Sequence, residues 1–168
     1  GLSGALGTGD TRNENTPKTI IDQGVTAISC GESWSACITT SGELWTWGKG
    51  QDGRLGHGDT SDQYLPQRVD LSHLPHAPGG QRIVSISAGH CHAGAITEDG
   101  TLLVWGRGYG GQLGDGKKQA SWRPLPLPLP HSLRATAVAC GASHTVVVAE
   151  GGRVFSFGRG KEGQLGDG

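Results

Sequence analysis

The stretch "CGESWSACITTSGELWTWGKGQDGRLGHGD", residues 30–59, decides the fold, because its plan returns twice. Residues 88–116, "AGHCHAGAITEDGTLLVWGRGYGGQLGDG", and residues 140–168, "CGASHTVVVAEGGRVFSFGRGKEGQLGDG", keep the same order. A small residue and glycine come first, then a short apolar run, a glycine turn, an aromatic run and a Gly-x-Leu-Gly ending. The opening residues 1–10, "GLSGALGTGD", hold that ending alone. Its leucines, Leu6, Leu55, Leu113 and Leu165, are spaced by 49, 58 and 52 residues. That period belongs to solenoids, propellers and arrays.

One repeat domain follows, covering 1–168. It divides into the tail of a preceding repeat (1–10) and three repeats, 11–59, 60–116 and 117–168. Within each, "SACITT", "AGAIT" and "TVVVA" have strand length and strand composition. Each is followed by a tight turn at Ser41-Gly42, Asp99-Gly100 or Gly151-Gly152. These dipeptides predict two-residue hairpin turns, which need positive φ. On the returning strands Trp45 and Trp47, Leu103 and Trp105, and Phe155 and Phe157 fall on one face, with Leu44, Leu102 and Val154 on the other. A sheet apolar on both faces must be covered on both, as a propeller blade is. The prolines of "SWRPLPLPLPHSL", at alternate positions from Pro124 to Pro130, exclude a central strand and predict an extended edge segment.

Composition narrows the function. With 31 glycines in fixed repeat positions the chain reads as turns, not as helices or disorder. A net charge of -1 gives no footprint for nucleic acid, and no apolar run has membrane-spanning length. Cys30 and Cys140 occupy one repeat position, where the second repeat has Ala88. Together with Cys37 and Cys91 they read as small reduced core residues of an intracellular protein.

The three copies resemble the repeat of the regulator of chromosome condensation family. The residues that carry the likeness are the small residue plus glycine before the hairpin (Gly31, Gly89, Gly141), the aromatic-glycine hairpin end (Gly48, Gly106, Gly158) and the turn leucines Leu55, Leu113 and Leu165. The resemblance implies an all-β propeller of seven blades, of which these three four-stranded antiparallel blades are an arc. It also implies a structural histidine three residues after the first glycine. His92 and His144 keep it, and Trp34 replaces it in the first repeat.

No catalytic, cofactor or metal residue is read from the chain. The glycines at 106, 108 and 111 are not followed by a helix, so they are not a dinucleotide fingerprint. In "HCH", residues 90–92, neighbours point to opposite faces; only His90 and His92 can converge, and His92 belongs to the repeat. Nucleophile and base types recur in every unit, which argues structure over a single active site.

The expected function is a non-enzymatic protein–protein interaction scaffold, with His73, Leu74, Pro75 and His76 of the enlarged connector as a protruding partner-binding loop. One alternative implied by the resemblance is guanine-nucleotide exchange on a Ras-like small GTPase, although that loop has no acidic residue to displace magnesium. A second is ultraviolet photoreception, which needs clustered tryptophans and a G-W-R-H-T motif; "GESWSA" is its nearest approach. A chain with no methionine that opens and closes mid-motif is expected to be a piece of a longer array. Its end faces, carrying Trp45 and Phe155, would then be covered by further blades or by a partner.

Overall fold

The computed structural model describes residues 3–75 and 81–166. Its regular structure is three antiparallel meanders, linked in chain order. The first contains β1 (Val25–Cys30), β2 (Trp34–Thr39), β3 (Leu44–Gly48) and β4 (Gln63–Arg68). The second contains β5 (Ile83–Ala88), β6 (His92–Thr97), β7 (Leu102–Gly106) and β8 (Ser121–Leu127). The third shows β9 (Ala135–Cys140), β10 (His144–Ala149) and β11 (Arg153–Gly158) among the described residues. Since β1 lies against β5 and β5 against β9, the first strands converge while β4 and β8 form the rim. This is the all-β, blade-on-blade arrangement of a propeller.

The double-sided apolar pattern has the expected consequence. In the second blade Ala93, Ala95, Leu103 and Trp105 join Trp34, Ala36, Ile38 and Leu44 of the first in one core. Its opposite face, with Ile96, Leu102 and Val104, packs on Val147, Ala149, Phe155 and Phe157 of the third. Every residue of β6 and β7 is buried as a result.

The outer strands lie one step out of phase with the sequence repeats: residues 60–116 begin with β4, which completes the preceding sheet. The proline-rich segment is the edge strand β8, with Pro126 opposite Leu103. Its leucines Leu127 and Leu129 point inward while Pro126, Pro128 and Pro130 are exposed.

Three expectations change. The hairpins have three-residue loops, since Thr39 N–H bonds Glu43 O, Thr97 N–H bonds Thr101 O, and Ala149 pairs with Arg153. Ser41 and Asp99 keep negative φ, so in the first two hairpins only the glycine is left-handed, as a type I turn closed by a bulge requires. Cys30 is exposed, while Cys140 sits against Gly94 of the second blade; none of the four cysteines is bonded to another. Cys30 has no described blade on its side. The exposed apolar residues of the end sheets include Val25, Ile28 (74%), Tyr64 and Leu65 of the first and Val154 (63%) of the third, not the Phe155 face, which the second blade covers.

The glycine that ends each inner hairpin is required twice over. Gly106 has φ +93, and a Cβ there would stand 2.6 Å from Cys91 O and 2.7 Å from His92 Cα. Gly48 and Gly158 repeat the conflict with Ser33 and Ser143. Gly116 shares the positive φ but a Cβ there would meet nothing within 4 Å. Gly106→Ala is therefore expected to lower unfolding free energy by about 3 kcal/mol or more and Gly116→Ala by about 1 kcal/mol, measured by urea denaturation.

Candidate functional site

The repeated polar residues lie in the seams between blades, and each seam is sewn at several levels. At the convergent strands, Ala88 N–H donates to Ser29 Oγ and Cys140 N–H to Ser87 Oγ, both at 2.9 Å. At the hairpin tips, Gly42 O accepts from Ile83 N–H and Gly100 O from Ala135 N–H, again at 2.9 Å. A Cβ on Gly42 or Gly100 would strike the arginine ahead of that strand, Arg82 or Arg134, at 2.8 and 2.6 Å.

The Gly-x-Leu-Gly turns supply the third level. The turns reach over the next blade, where Leu55 is 1% exposed and Leu113 fully covered, whereas Leu6 of the opening turn is 40% exposed. The carbonyl before the leucine accepts from that blade. Trp105 Nε1 donates to Arg54 O at 2.9 Å, Trp47 Nε1 and Ser35 Oγ donate to Ala5 O at 2.9 Å, and Thr145 Oγ1 donates to Gln112 O at 2.8 Å. Rim strands clamp the turn from outside, with Gly9 N–H bonding Tyr64 O and Gly58 N–H bonding Trp122 O. Leu165 is only half-buried, and no blade is described beyond it.

The histidine position completes the seam. His92 Nε2 lies 2.9 Å from Thr145 Oγ1. Thr145 spends its proton on Gln112 O, so Nε2 is the donor. Burial lowers the His92 pKa to about 4, against a hydrogen bond with the His144 backbone that raises it. In the first repeat Trp34 takes this place and donates Nε1–H to Gly89 O across the same kind of seam. Gly31, Gly89 and Gly141 are needed for this approach, since a Cβ would meet the ring of Trp34, His92 or His144 at 2.1, 2.8 and 2.2 Å. The sequence reading missed Arg54, a turn residue with no counterpart charge in the other repeats. It is 2% exposed and donates to Gln51 O and His90 O.

The described part of the connector is anchored at two of its residues. Leu74 is buried in the first core, and His73 Nε2 lies 2.7 Å from Pro124 O. Pro75 is exposed, and His76 lies outside the described residues. What is displayed instead is the residue after the first glycine of each turn: Gln51, Tyr109 and Lys161 are all exposed, and Arg107 stacks on the Tyr109 ring at 5.8 Å.

These repeats match the model of the regulator of chromosome condensation (RCC1) repeat over residues 41–96 and 99–148, and a second RCC1 model over 25–54, 83–112 and 135–164. The chain belongs to the RCC1 repeat family. It is similar to the Ultraviolet-B receptor UVR8 of Arabidopsis thaliana, with 37% identity over 98% of this chain and 37% of that protein. It is also similar to the E3 ubiquitin-protein ligase HERC2 of Homo sapiens, with 34% identity over the whole of this chain but 4% of that protein. In structure it is similar to human WBSCR16, with TM-score 0.81 and 23% identity over 94% of this chain and 40% of that one. The Saccharomyces cerevisiae protein Prp20p gives TM-score 0.72 and 27% identity over 86% and 35%. The chain thus spans well under half the length of these relatives.

Two outcomes test the seams. Unfolded histidine takes its proton near pH 6.5, whereas folded His92 stays neutral to about 4, so acid favours the unfolded chain. Relative to His92→Gln, the wild-type protein should therefore lose about 3 kcal/mol of stability between pH 7 and 4, followed by chemical denaturation. Trp105→Phe, which installs the residue already present at Phe157, should cost about 1–2 kcal/mol by removing the bond to Arg54 O.

Proposed function

We propose that the chain is a non-enzymatic protein-interaction module, working inside the cell as part of a larger protein or complex. The observation that supports this reading is a division of labour among turn residues. Recurring residues such as Leu55 and Leu113 are consumed by the seams, and one position that differs in every repeat is turned outward in each, as Gln51, Tyr109 and Lys161. Varied side chains on a rigid repeated frame are suited to recognition. No helix among the described residues is long and apolar enough to cross a membrane. Four unbonded cysteines suit a reducing compartment. The uncovered side of the third blade, with Val154 exposed and Leu165 half-buried, is closed in this reading by another blade of the same longer chain or by a partner.

Regulation of a small GTPase is the second reading. It is favoured by the likeness to Prp20p, whose structure was presented with its binding properties to Gsp1p and histones. The anchored connector speaks against exchange by that loop, because Leu74 cannot leave the core without cost. The likeness to the ultraviolet receptor carries less weight here. The indoles of Trp34, Trp47 and Trp105 are each spent on a structural hydrogen bond between blades or turns.

Proximity crosslinking with the full-length protein tests both. Tyr109→Ala combined with Arg107→Ala should lose specific partners that Lys118→Ala retains, with unchanged melting. Release of labelled GDP from a panel of Ras-like GTPases should not accelerate; acceleration would place the second reading first.

A further inference from the structure

The residues that break the repeat most sharply meet at one point. In the loop between first and second strands the repeats read Gly31-Glu32-Ser33, Gly89-His90-Cys91 and Gly141-Ala142-Ser143. Across the first seam this brings Glu32 of one blade against His90 and Cys91 of the next. A carboxylate oxygen, a ring nitrogen and the thiol sulfur all lie within 4.8 Å of one another. The equivalent positions of the second seam are His90, Ala142 and Ser143, which cannot supply three such ligands.

We propose that Glu32, His90 and Cys91 form a zinc site that bridges the first and second blades. One oxygen, one nitrogen and one sulfur are a ligand set that zinc accepts, leaving a fourth tetrahedral position for water. Bond lengths of about 2.0–2.3 Å put neighbouring ligand atoms about 3.5 Å apart. The widest separation, at most 4.8 Å, must therefore close by up to about 1.3 Å, while the Glu32–His90 pair, now 2.5 Å apart, opens by about 1 Å. The Glu32 side chain, 54% exposed, has room for that adjustment.

The surroundings suit a dication. Cys91 is buried at 6% exposure, and the His90 backbone is held at both ends, by Gly141 O on its N–H and by Arg54 Nη1 on its carbonyl. Arg54 stands 4.0 Å from Glu32 and 3.7 Å from Asp52. With Cys91 as thiolate, the charges of Glu32, Asp52, Cys91 and Arg54 sum to about -2, which zinc neutralises. Such an ion would join the seam at a level where the other contacts are single hydrogen bonds.

The sequence itself provides variants that preserve the fold: Cys91→Ser installs the residue of Ser33 and Ser143, and His90→Ala that of Ala142. The full chain, stripped with chelator and titrated with zinc chloride in a calorimeter, should bind one ion. Each variant should lower affinity by at least about tenfold, the smaller loss seen even for outer partners of metal sites. Zinc should also raise the wild-type melting temperature and leave the variants unmoved. Independently of any variant, zinc should slow alkylation of Cys91, mapped by mass spectrometry, while exposed Cys30 reacts at its former rate. The proposal is overturned by no saturable binding, by binding that both variants retain, or by a Cys91 alkylation rate indifferent to zinc.

Discussion

When Trp105 reaches across the seam to the carbonyl of Arg54, it ties three features together. It pins the turn that ends one repeat, it helps seal Leu55 between two blades, and it stands in the same seam as the Trp34 bond to Gly89 O. Serine or threonine at the head of the second strand can do the same work, as Thr145 does for Gln112 O. The blades consequently have little reason to stand alone. Each is finished by the turn of its predecessor, and stability becomes a sum of blade terms and seam terms, as in other quasi-one-dimensional repeats.

That dependence explains why polar groups such as His92, Thr145 and Gln112 are buried between the blades. His92, Thr145 and Gln112 form a relay of donors and acceptors, which in isolation resembles the start of a catalytic chain. Its end is a backbone carbonyl, and burial keeps its first member neutral, so the relay fixes the approach of the two blades. Some variety stays within the seams, as with Trp34 for histidine and Arg54 for glutamine, and some is turned outward. Tyr109 beside Arg107 is the largest such feature on the turns.

The repeat period, the strands, the rim prolines and the family were all legible in the sequence, because each is a local pattern repeated in phase. Legibility ended where a residue's role depends on the neighbouring blade. Thr145 reads as an ordinary strand residue until His92 is placed beside it, 53 positions away. Leu74 reads as an exposed loop tip, yet the first core has space for it. Cys30 and Cys140 share a repeat position, and they differ only because a blade lies against one of them. "HCH" pointed to the pair His90 and His92, whereas the fold turns His92 into the second seam and gives His90 to Glu32 of the first blade. Arg54 gave no signal, since its burial follows from the turn that carries it.

The prolines of the rim have a consequence for how anything can attach. An extended peptide that joins a sheet needs a row of free N–H groups along the edge. Along β8, Pro124 and Pro126 carry none, and Pro128 and Pro130 continue the gap beyond the strand. The second blade therefore offers no template for strand addition. Growth of the sheet by an incoming segment is barred at the rim of the second blade.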